Sequence, residues 1–291
     1  MADKYSVVGR RQTKLDAPLK ATGRSQFTED VVLPGMLHGR IVRSTIPRGR
    51  IVNIDTSRAE RLPGVKAIVT HRDSGGIMVG PDQQLLCDEL VYYIGDEVAA
   101  VAATDEDTAL EAAGLITIDY EPLPALLTME EAMAPGAPVL HQYYDDNFAD
   151  EKLVHYGDAD KSFAESDHIR VDTFDAFPSH NCFAELHGTI VDYSLPGKLT
   201  VWTPSQTAIL IQKGMAQILG LSESQVRILN LNTGGAFSGR GTVRPHHLIA
   251  AVLSKKASRP VRICIDAEEE FIVCRSAGKS KLTFKSGVLK D

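Results

Sequence analysis

Residues 35–70 show short apolar runs that are separated by turn residues. The runs are MLHGRIVRST, GRIVNIDTS and GVKAIVT, and glycine, proline and asparagine interrupt them. Alternating runs with this punctuation predict three β-strands. Between the second and third runs, residues 57–62 precede Pro63 and Gly64, and this pattern predicts a short helix that ends at the proline.

Residues 95–128 predict a β-α-β unit. The run GDEVAAVAAT at 95–104 is typical of a buried strand. Apolar residues at helical spacing follow in DEDTALEAAGLI, where we expect a helix to begin at Thr104 or Asp105. The run ITIDYEPLP then returns to strand and ends at prolines, which predicts a small mixed domain that ends near residue 128.

Residues 129–160 are less regular and predict a connector, because MAPGAPVLHQYYDDN contains many turn residues. Beyond the connector the pattern predicts, in order, strands at 168–177, 187–194 and 198–204, a helix at 205–219 that ends at Gly220, a strand at 225–232, a glycine-rich loop, a helix at 243–256 and a strand at 259–266. The sequence therefore predicts a mixed α/β (α+β) fold with two domains.

The composition narrows the functional class. Of the 291 residues, 43% are hydrophobic and 24% are charged, which is typical of a globular protein. A net charge of -7 argues against a nucleic-acid partner, and no window approaches the roughly 18 apolar residues of a membrane span. Four widely spaced cysteines and the lack of an apolar N-terminal leader predict a cytoplasmic protein that houses no iron–sulfur cluster.

The glycine-rich loop at 232–241 reads NTGGAFSGRG. Such a loop between a strand and a helix can bind an anion through its backbone amides. A P-loop requires a lysine and a hydroxyl after its last glycine, where this chain has Arg240 and Gly241. A dinucleotide-binding fingerprint requires a glycine where Ala236 stands. A tight turn that binds no ligand is the third alternative.

Several motifs together resemble a known family. The loop GGAFSGR resembles the G-G-G-F-G-G-K loop of the molybdenum hydroxylases, which include xanthine dehydrogenase, aldehyde oxidase and the molybdopterin subunit of 4-hydroxybenzoyl-CoA reductase. The segment WTPSQT resembles their [ST]-x-[ST]-Q motif, one helix and one strand earlier. The opening VGRRQTKLDAPLKATGRSQF, the later YIGDEVAAVAATDEDTALEAAGLITIDYEPLPAL and DAEEEF follow in the family's order. The resemblance covers nearly the whole chain and is nearest to the bacterial three-subunit enzymes.

The resemblance implies a domain plan and a set of site residues. Residues 1–130 correspond to an α/β hammerhead domain with a core at about 20–128, residues 131–160 to a connector, and residues 161–291 to the first part of the molybdenum-cofactor-binding domain. No residue is implied to ligate the metal directly. The resemblance implies that Gln206 donates a hydrogen bond to an oxygen ligand of the metal and that Glu185 lies near the substrate channel. It also implies that five loop residues contact the cofactor: Gly234, Gly235, Ala236, Phe237 and Arg240.

The resemblance also implies cofactors and partners. It implies molybdopterin in its cytosine dinucleotide form, with FAD and iron–sulfur clusters on partner subunits. The family's subunit is more than twice as long and carries its base glutamate in the second half, so we expect either a split subunit, completed by a second polypeptide, or a truncated product that is inactive alone. The implied substrate is an aldehyde, an N-heterocycle or an aromatic CoA thioester. A non-catalytic assembly or remnant subunit and an NAD(P)-binding enzyme are the alternatives.

The loop departs from the family pattern at four positions. Ala236 and Ser238 replace glycines, and Arg240 replaces the usual lysine. Gly241 stands where xanthine dehydrogenase has a glutamate that helps to hold its substrate. The last departure argues against a purine substrate.

The stretch HNCFAELHG at 180–188 contains potential metal ligands. If this stretch is a strand, His180 and Cys182 lie on one face and Glu185 and His187 on the other. No shared metal site is then expected, because ligands must converge on one point.

Three further groups of polar residues are expected to be structural. We expect Asp96 and Glu97 to lie in a turn, and the acidic run at 268–270 to be a solvated end of a strand. His246 and His247 begin a predicted helix, where successive side chains are about 100° apart. One of them is therefore expected on the surface and the other in the core.

Overall fold

The computed structural model describes residues 5–141, 144–274 and 278–290. The predicted hammerhead domain, connector and cofactor-binding domain each include a few residues outside these ranges, at 1–4, 142–143, 275–277 and 291. Within these residues the strands are β1 (Leu37–Arg43), β2 (Gly49–Asp55), β3 (Val65–Thr70), β4 (Leu90–Val91), β5 (Glu97–Ala103), β6 (Thr117–Pro122), β7 (His168–Ala176), β8 (Gly188–Leu195), β9 (Lys198–Pro204), β10 (Val226–Leu231), β11 (Val261–Cys264) and β12 (Ser280–Val288). The helices are α1 (Ala17–Ala21), α2 (Ser57–Glu60), α3 (His71–Ser74), α4 (Glu106–Leu115), α5 (Met129–Ala132), α6 (Ala159–Ala164), α7 (Ala208–Leu219), α8 (Pro245–Ala257) and α9 (Ala267–Val273).

A seven-stranded mixed sheet forms the centre of the fold, in the order β10-β9-β8-β11-β1-β5-β3. At its middle β1 pairs in parallel with β11, and Leu37 lies opposite Val261. Strands from both sides of the predicted connector therefore share one sheet. The mixed α/β fold class is confirmed, whereas the domain limits at 130 and 161 stay predictions.

Strand β5 shows why this sheet is stable. All of its residues are buried. Ala100 and Ala102 pack into the cluster that contains α8, while Ala99 and Val101 pack into the cluster that contains α4. Because helices cover both faces, the strand is apolar at every position from Val98 to Ala103 rather than alternating. The buried strand that the sequence predicts at 95–104 is confirmed.

Two smaller sheets lie outside the central one. Strand β2 pairs with β4 and β6, and β7 pairs with β12 over nine residues in an antiparallel ribbon. The ribbon is almost fully exposed on both faces. No helix among the described residues is long and apolar enough to cross a membrane.

The two long helices begin and end close to their predicted bounds. Helix α7 ends at Gly220, whose φ of 66° is left-handed, as the predicted glycine stop requires. Helix α8 begins at Pro245, which is favoured at a first helical position because it needs no amide donor. Both helices are confirmed.

Four expectations about polar residues are wrong. Glu97 opens β5 rather than lying in the turn, whereas Asp96 closes the turn as expected, because its amide donates to the carbonyl of Tyr93 at 3.3 Å. Both residues are buried, with exposed fractions of 2% for Asp96 and 3% for Glu97. His246 and His247 are both buried, since the first turn of α8 enters the core. The stretch at 180–187 is irregular rather than a strand, and the acidic run at 268–270 lies in α9 with Glu270 buried at 1% exposure.

Gly39 in β1 provides a test of the central sheet. A Cβ at this position would lie 2.7 Å from Cγ1 of Ile263 and 3.3 Å from the carbonyl oxygen of Arg262. We expect Gly39→Ala to lower the free energy of unfolding by about 1–3 kcal/mol, the usual cost of overpacking a core. Urea denaturation of the purified chain measures this change.

The matched control is Gly114→Ala in α4. A Cβ there meets no atom within 4 Å, and alanine favours a helix interior over glycine by about 1 kcal/mol. This variant should be at least as stable as the wild type. Equal stability of the Gly39→Ala variant and the wild type would contradict the packing at the β1–β11 pair.

Candidate functional site

Gln206 lies in the turn between β9 and α7. Ser205 fixes this turn, because its amide donates to Oδ1 of Asn230 at 2.8 Å and its hydroxyl accepts the amide of Thr207 at 2.9 Å. The side chain of Gln206 is exposed. The turn thus presents a carboxamide to solvent at the end of β9.

The glycine-rich loop at 232–241 follows β10, which pairs in parallel with β9. The carboxyl ends of parallel neighbours meet at one edge of a sheet, so the loop and Gln206 come together there. The amide of Gln206 donates to the carbonyl of Arg240 at 3.1 Å, and its Oε1 accepts the amide of Arg240 at 3.4 Å. Oε1 is thereby occupied, and Nε2 of Gln206 has no acceptor among the described residues.

The outer part of the loop presents a row of backbone donors. The amides of residues 235–238 have no acceptor among the described residues. Gly235, Phe237 and Ser238 adopt left-handed φ angles of 116°, 37° and 62°, and the amide of Gly239 closes the turn on the carbonyl of Ala236 at 2.6 Å. Consecutive amides in such conformations form a concave site for an anion. Ser238 replaces a family glycine, so the loop keeps at that position a conformation that glycine adopts without strain.

Glu185 fixes the beginning of the loop. Its Oε2 accepts the amide of Gly234 at 2.7 Å, and its own amide donates to the carbonyl of Gly234 at 3.3 Å. The contact is close, because a Cβ on Gly234 would lie 2.6 Å from Cβ of Glu185. Oε1 of Glu185 is buried without a hydrogen-bond partner among the described residues. A role for Glu185 in a substrate channel stays a prediction.

The side chain of Arg240 anchors the end of the loop in the protein interior. Its side chain is 1% exposed, its Nη2 donates to the carbonyls of Glu185 and Leu186, and its guanidinium carbon lies 5.5 Å from the ring centre of Phe183. Burial lowers its pKa, against the opposing effect of the Glu185 carboxylate. The sequence predicts a cofactor contact for Arg240, but the guanidinium points into the protein, so only its backbone lies beside Gln206.

The structure brings the predicted residues into one group. Gln206 and Glu185 are linked to the loop by the hydrogen bonds above, since both contact it and Glu185 also accepts from Arg240 within it. Phe237 projects from the loop with an exposed fraction of 62%. Sequence reasoning missed Phe183, whose ring packs beneath the loop. An aromatic residue inside HNCFAELHG was the available signal, but the assumed strand alternation drew attention to the polar side chains instead.

Two family models match the chain. The model described as "Aldehyde oxidase and xanthine dehydrogenase, a/b hammerhead domain" matches residues 22–124, and the model described as "Molybdopterin cofactor-binding domain" matches residues 140–291, more than half of the chain. The chain belongs to the molybdopterin-binding subunits of the xanthine dehydrogenase and aldehyde oxidase family. The resemblance in the glycine loop and the WTPSQT segment is thereby confirmed at the level of the family.

Known members of this family differ in how much of their length the chain matches. It is 33% identical to the nicotinate dehydrogenase large molybdopterin subunit of Eubacterium barkeri, over 100% of this chain and 69% of that one. It is 28% identical to the xanthine dehydrogenase molybdenum-binding subunit of Escherichia coli O157:H7, over 96% of this chain and 39% of that one. The structure of CO dehydrogenase from Oligotropha carboxidovorans superposes with a TM-score of 0.89 at 29% identity, over 99% of this chain and 38% of that chain. The chain therefore spans less than half the length of two of these three relatives.

A second polar cluster lies beside the site of this family member. His187, Glu270 and Cys274 place one ligand atom each within 4.8 Å of one another. Nδ1 of His187 is only 2.8 Å from Oε1 of Glu270, whereas two ligands of one tetrahedral zinc ion lie roughly 3.3–3.6 Å apart. Arg43 and Arg244 also interact electrostatically with Cys274, and their charges oppose a bound cation. The cluster is better described as a hydrogen-bonded anchor than as a metal centre.

Proposed function

We propose that this chain supplies the glutamine and glycine-loop side of the molybdopterin site in a molybdenum hydroxylase. The observation that carries the proposal is the row of amides at 235–238, without acceptors among the described residues, beside the Nε2 donor of Gln206. Bound molybdopterin carries an anionic metal centre and dithiolene, and amide donors satisfy such a group without a protein–metal bond. The donor set therefore fits the cofactor that the family implies.

Each residue has a distinct part in this site. Gln206 would donate from Nε2 to the cofactor, because its Oε1 already accepts the amide of Arg240. The loop amides would hold its anionic part, and the contacts of Glu185 with Gly234 and Arg240 fix the conformation of the loop. When bound, the cofactor supplies the redox centre for water-derived hydroxylation of an electron-poor carbon or for its reductive reverse. The part of this chain would be to bind and orient the cofactor.

The proposed substrate, cofactor form and partner subunits rest on membership of the family. We propose an aldehyde, an N-heterocycle or an aromatic CoA thioester as substrate, and a relative named nicotinate dehydrogenase supports the N-heterocycle. We propose the cytosine dinucleotide form of the cofactor, and partner subunits that carry FAD and iron–sulfur clusters. Several relatives are named as subunits, which supports a complex. The four free cysteines support the predicted cytoplasmic location.

The remaining cofactor contacts are proposed to come from a further part of the molybdenum subunit. A relative of which this chain covers 69% shows that members of the family need not have the length of the CO dehydrogenase chain. A separate polypeptide can therefore carry the rest of the domain. The base glutamate is expected in that part.

The geometry disfavours the alternative of a dinucleotide-binding enzyme. In a dinucleotide fingerprint the last glycine lies at the start of the helix, so that the pyrophosphate meets the helix N-terminus. Here α8 begins only at Pro245, beyond Gly239 and Gly241, and its N-cap is Arg244. The loop is therefore not the start of that helix.

The test is the composition of the assembled complex. The chain is co-expressed with the products of neighbouring open reading frames, purified, and analysed for molybdenum and for released pterin nucleotide. Molybdenum and pterin at about one per chain support the proposal. A complex that lacks both supports the non-catalytic assembly subunit, and stabilisation of the lone chain by NAD would support the dinucleotide alternative.

Gln206→Ala tests the glutamine in that complex. The variant loses the Nε2 donor, and we expect hydroxylase activity to fall about 10–100-fold, as it does when a residue beside a metal centre is removed. Gln217→Ala is the control, because Gln217 is exposed near the other end of α7. Equal activities of the Gln206→Ala variant and the wild type would exclude the assigned role.

A further inference from the structure

A short irregular segment, residues 180–187, packs against the glycine-rich loop. We call it the support segment. It lies between β7 and β8 and has neither helical nor strand structure. Its residues contact the loop at three separate points, and one buried residue of a distant helix holds both of its ends, one through its carboxylate and the other through its backbone carbonyl.

The three contacts cover most of the loop. Nδ2 of Asn181 donates to the carbonyl of Phe237 at 3.1 Å. Phe183, which is 5% exposed, lies so close to Gly239 that a Cβ there would be 2.6 Å from its ring. Glu185 accepts the amide of Gly234 at 2.7 Å. The position of the support segment therefore sets the position of the loop.

Glu270 holds both ends of the support segment. Its Oε2 accepts the amide of His187 at 3.0 Å and its Oε1 lies 2.8 Å from Nδ1 of the same residue. At the other end, Nε2 of His180 donates to the carbonyl of Glu270 at 2.9 Å, since Nδ1 of His180 already accepts the amide of Cys182. A single residue thus replaces the regular backbone pairing that an irregular segment lacks.

The charge of Glu270 strengthens this arrangement. The residue is 1% exposed. Burial opposes its negative charge, but the hydrogen bonds from His187 outweigh burial and hold its pKa below the usual value. Hydrogen bonds to a buried carboxylate are stronger than those between neutral groups. Removal of this carboxylate should therefore release both hydrogen bonds at the His187 end.

We infer that Glu270 is a positioning residue for the glycine-rich loop and acts on it through the support segment. The inference deepens the proposed function and rests on it only where the loop is said to hold molybdopterin. Among the described residues Glu270 has no hydrogen bond to a loop residue, so the effect of its carboxylate must pass through His187, whereas its backbone carbonyl accepts from His180.

Hydrogen–deuterium exchange of the purified full chain tests the inference without cofactor. In the Glu270→Ala variant we expect exchange to accelerate about tenfold at the hydrogen-bonded amides within 180–187 and 233–241, because local opening no longer breaks the buried carboxylate's hydrogen bonds. These amides belong to Cys182, Glu185, His187, Gly234, Gly239 and Arg240. Glu270→Gln keeps the side-chain volume and one acceptor oxygen, so its exchange rates should lie between those of the wild type and of Glu270→Ala. Unchanged exchange in the buried strand β5 would distinguish this local response from a general loss of stability, which accelerates exchange throughout the protein.

The matched control is Glu269→Gln, on the same turn of α9. Glu269 pairs with Arg43 and Arg40 in β1, and within the described part of the chain none of its hydrogen bonds or ion pairs involves the support segment. Its variant should leave exchange at 233–241 unchanged. Faster exchange confined to α9 in both Glu270 variants, with the loop unchanged, would overturn the inference.

A second measurement connects Glu270 to the cofactor. In the assembled complex, Glu270→Ala should retain about tenfold less molybdenum per chain than the wild type and Glu269→Gln. If the wild-type complex holds no molybdopterin while the loop still loosens in Glu270→Ala, the proposed function fails and the positioning role stands. If the loop loosens and molybdenum is fully retained, the link between Glu270 and the cofactor is wrong.

Discussion

A Gly234→Val substitution is expected to empty the molybdopterin site of the assembled complex. The new Cβ would lie 2.6 Å from Cβ of Glu185 and 3.4 Å from its Oε2. Both atoms belong to the side chain that holds the loop, so the loop or Glu185 must move by a substantial fraction of an ångström. A shift of about 1 Å in a positioning group can cost about 100-fold in activity.

We therefore expect the Gly234→Val complex to lose about 100-fold in hydroxylase activity together with most of its molybdenum. The cause is steric, because Gly234 is not among the glycines with a left-handed φ and another residue can adopt its backbone conformation. Molybdenum content and the substrate-dependent activity of the complex are the two measurements.

Gly241→Ala is the control for this prediction. Gly241 lies in the same loop, but a Cβ there would meet only Oγ1 of Thr207, at an ordinary 3.7 Å. Gly241 also has no left-handed φ. This variant should keep its molybdenum. Retention of molybdenum by Gly234→Val, or its loss from Gly241→Ala, would contradict the placement of the loop against Glu185.

The regular elements could be predicted from the sequence because their signals are local. Strand β9 occupies residues 198–204, as the alternation in KLTVWTP predicts, and Gly220 ends α7 because glycine adopts a left-handed φ without strain. The short helix α9 was missed. Its N-cap Asp266 and the glutamates that follow form a helix start, but three consecutive acidic residues also resemble a solvated run.

The candidate site likewise contains residues that the sequence predicts and one residue that it could not predict. Gln206 and the glycine loop each follow a strand, and the two strands are parallel neighbours, so a motif in each suffices to predict that they meet. Glu270 could not be found by this reasoning. It reaches His187 from a helix more than eighty residues away in the chain, and its burial depends on how α9 packs rather than on its neighbours in sequence.

Acidification from pH 7 to pH 5 is expected to lower the free energy of unfolding through His246 and His247. Burial lowers the pKa of His247 to about 3, and burial followed by the nearby His247 places the pKa of His246 well below its usual value. Both therefore stay neutral in the folded protein at pH 5. In the unfolded chain each has a pKa of about 6.5 and is protonated there.

The contacts of His247 explain why it resists a proton. Its Nδ1 accepts the amide of Arg244 at 3.0 Å, so Nε2 carries the hydrogen and donates to Oγ1 of Thr203 at 3.1 Å. The Thr203 hydroxyl in turn donates to the carbonyl of Gly188 at 3.2 Å. A proton on Nδ1 would face the amide of Arg244, and the charge would be buried.

The sign of the effect follows from the lowered pKa values. Well above a pH of about 6.5 neither the folded nor the unfolded state binds a proton at these residues, so they do not lower the free energy of unfolding. Below that pH only the unfolded chain binds protons at these two residues. By pH 5 each histidine therefore lowers the free energy of unfolding by about 2 kcal/mol, and the two together lower it by about 4 kcal/mol. Burial raises the pKa values of Asp96 and Glu97 and therefore opposes this loss, because these groups bind protons first in the folded state.

Variants separate the histidines from the carboxylates. His247→Asn keeps an acceptor near Nδ1 and does not titrate, and His246→Phe keeps a ring in place without a charge. Urea denaturation at pH 7 and pH 5 should show that each variant loses about 2 kcal/mol less than the wild type over this interval, whatever its stability at pH 7. Because the comparison is between two pH values of one variant, the cost of the substitution itself cancels. An equal loss in the wild type and in both variants would mean that these rings do titrate in the folded protein and that the first turn of α8 is open to water.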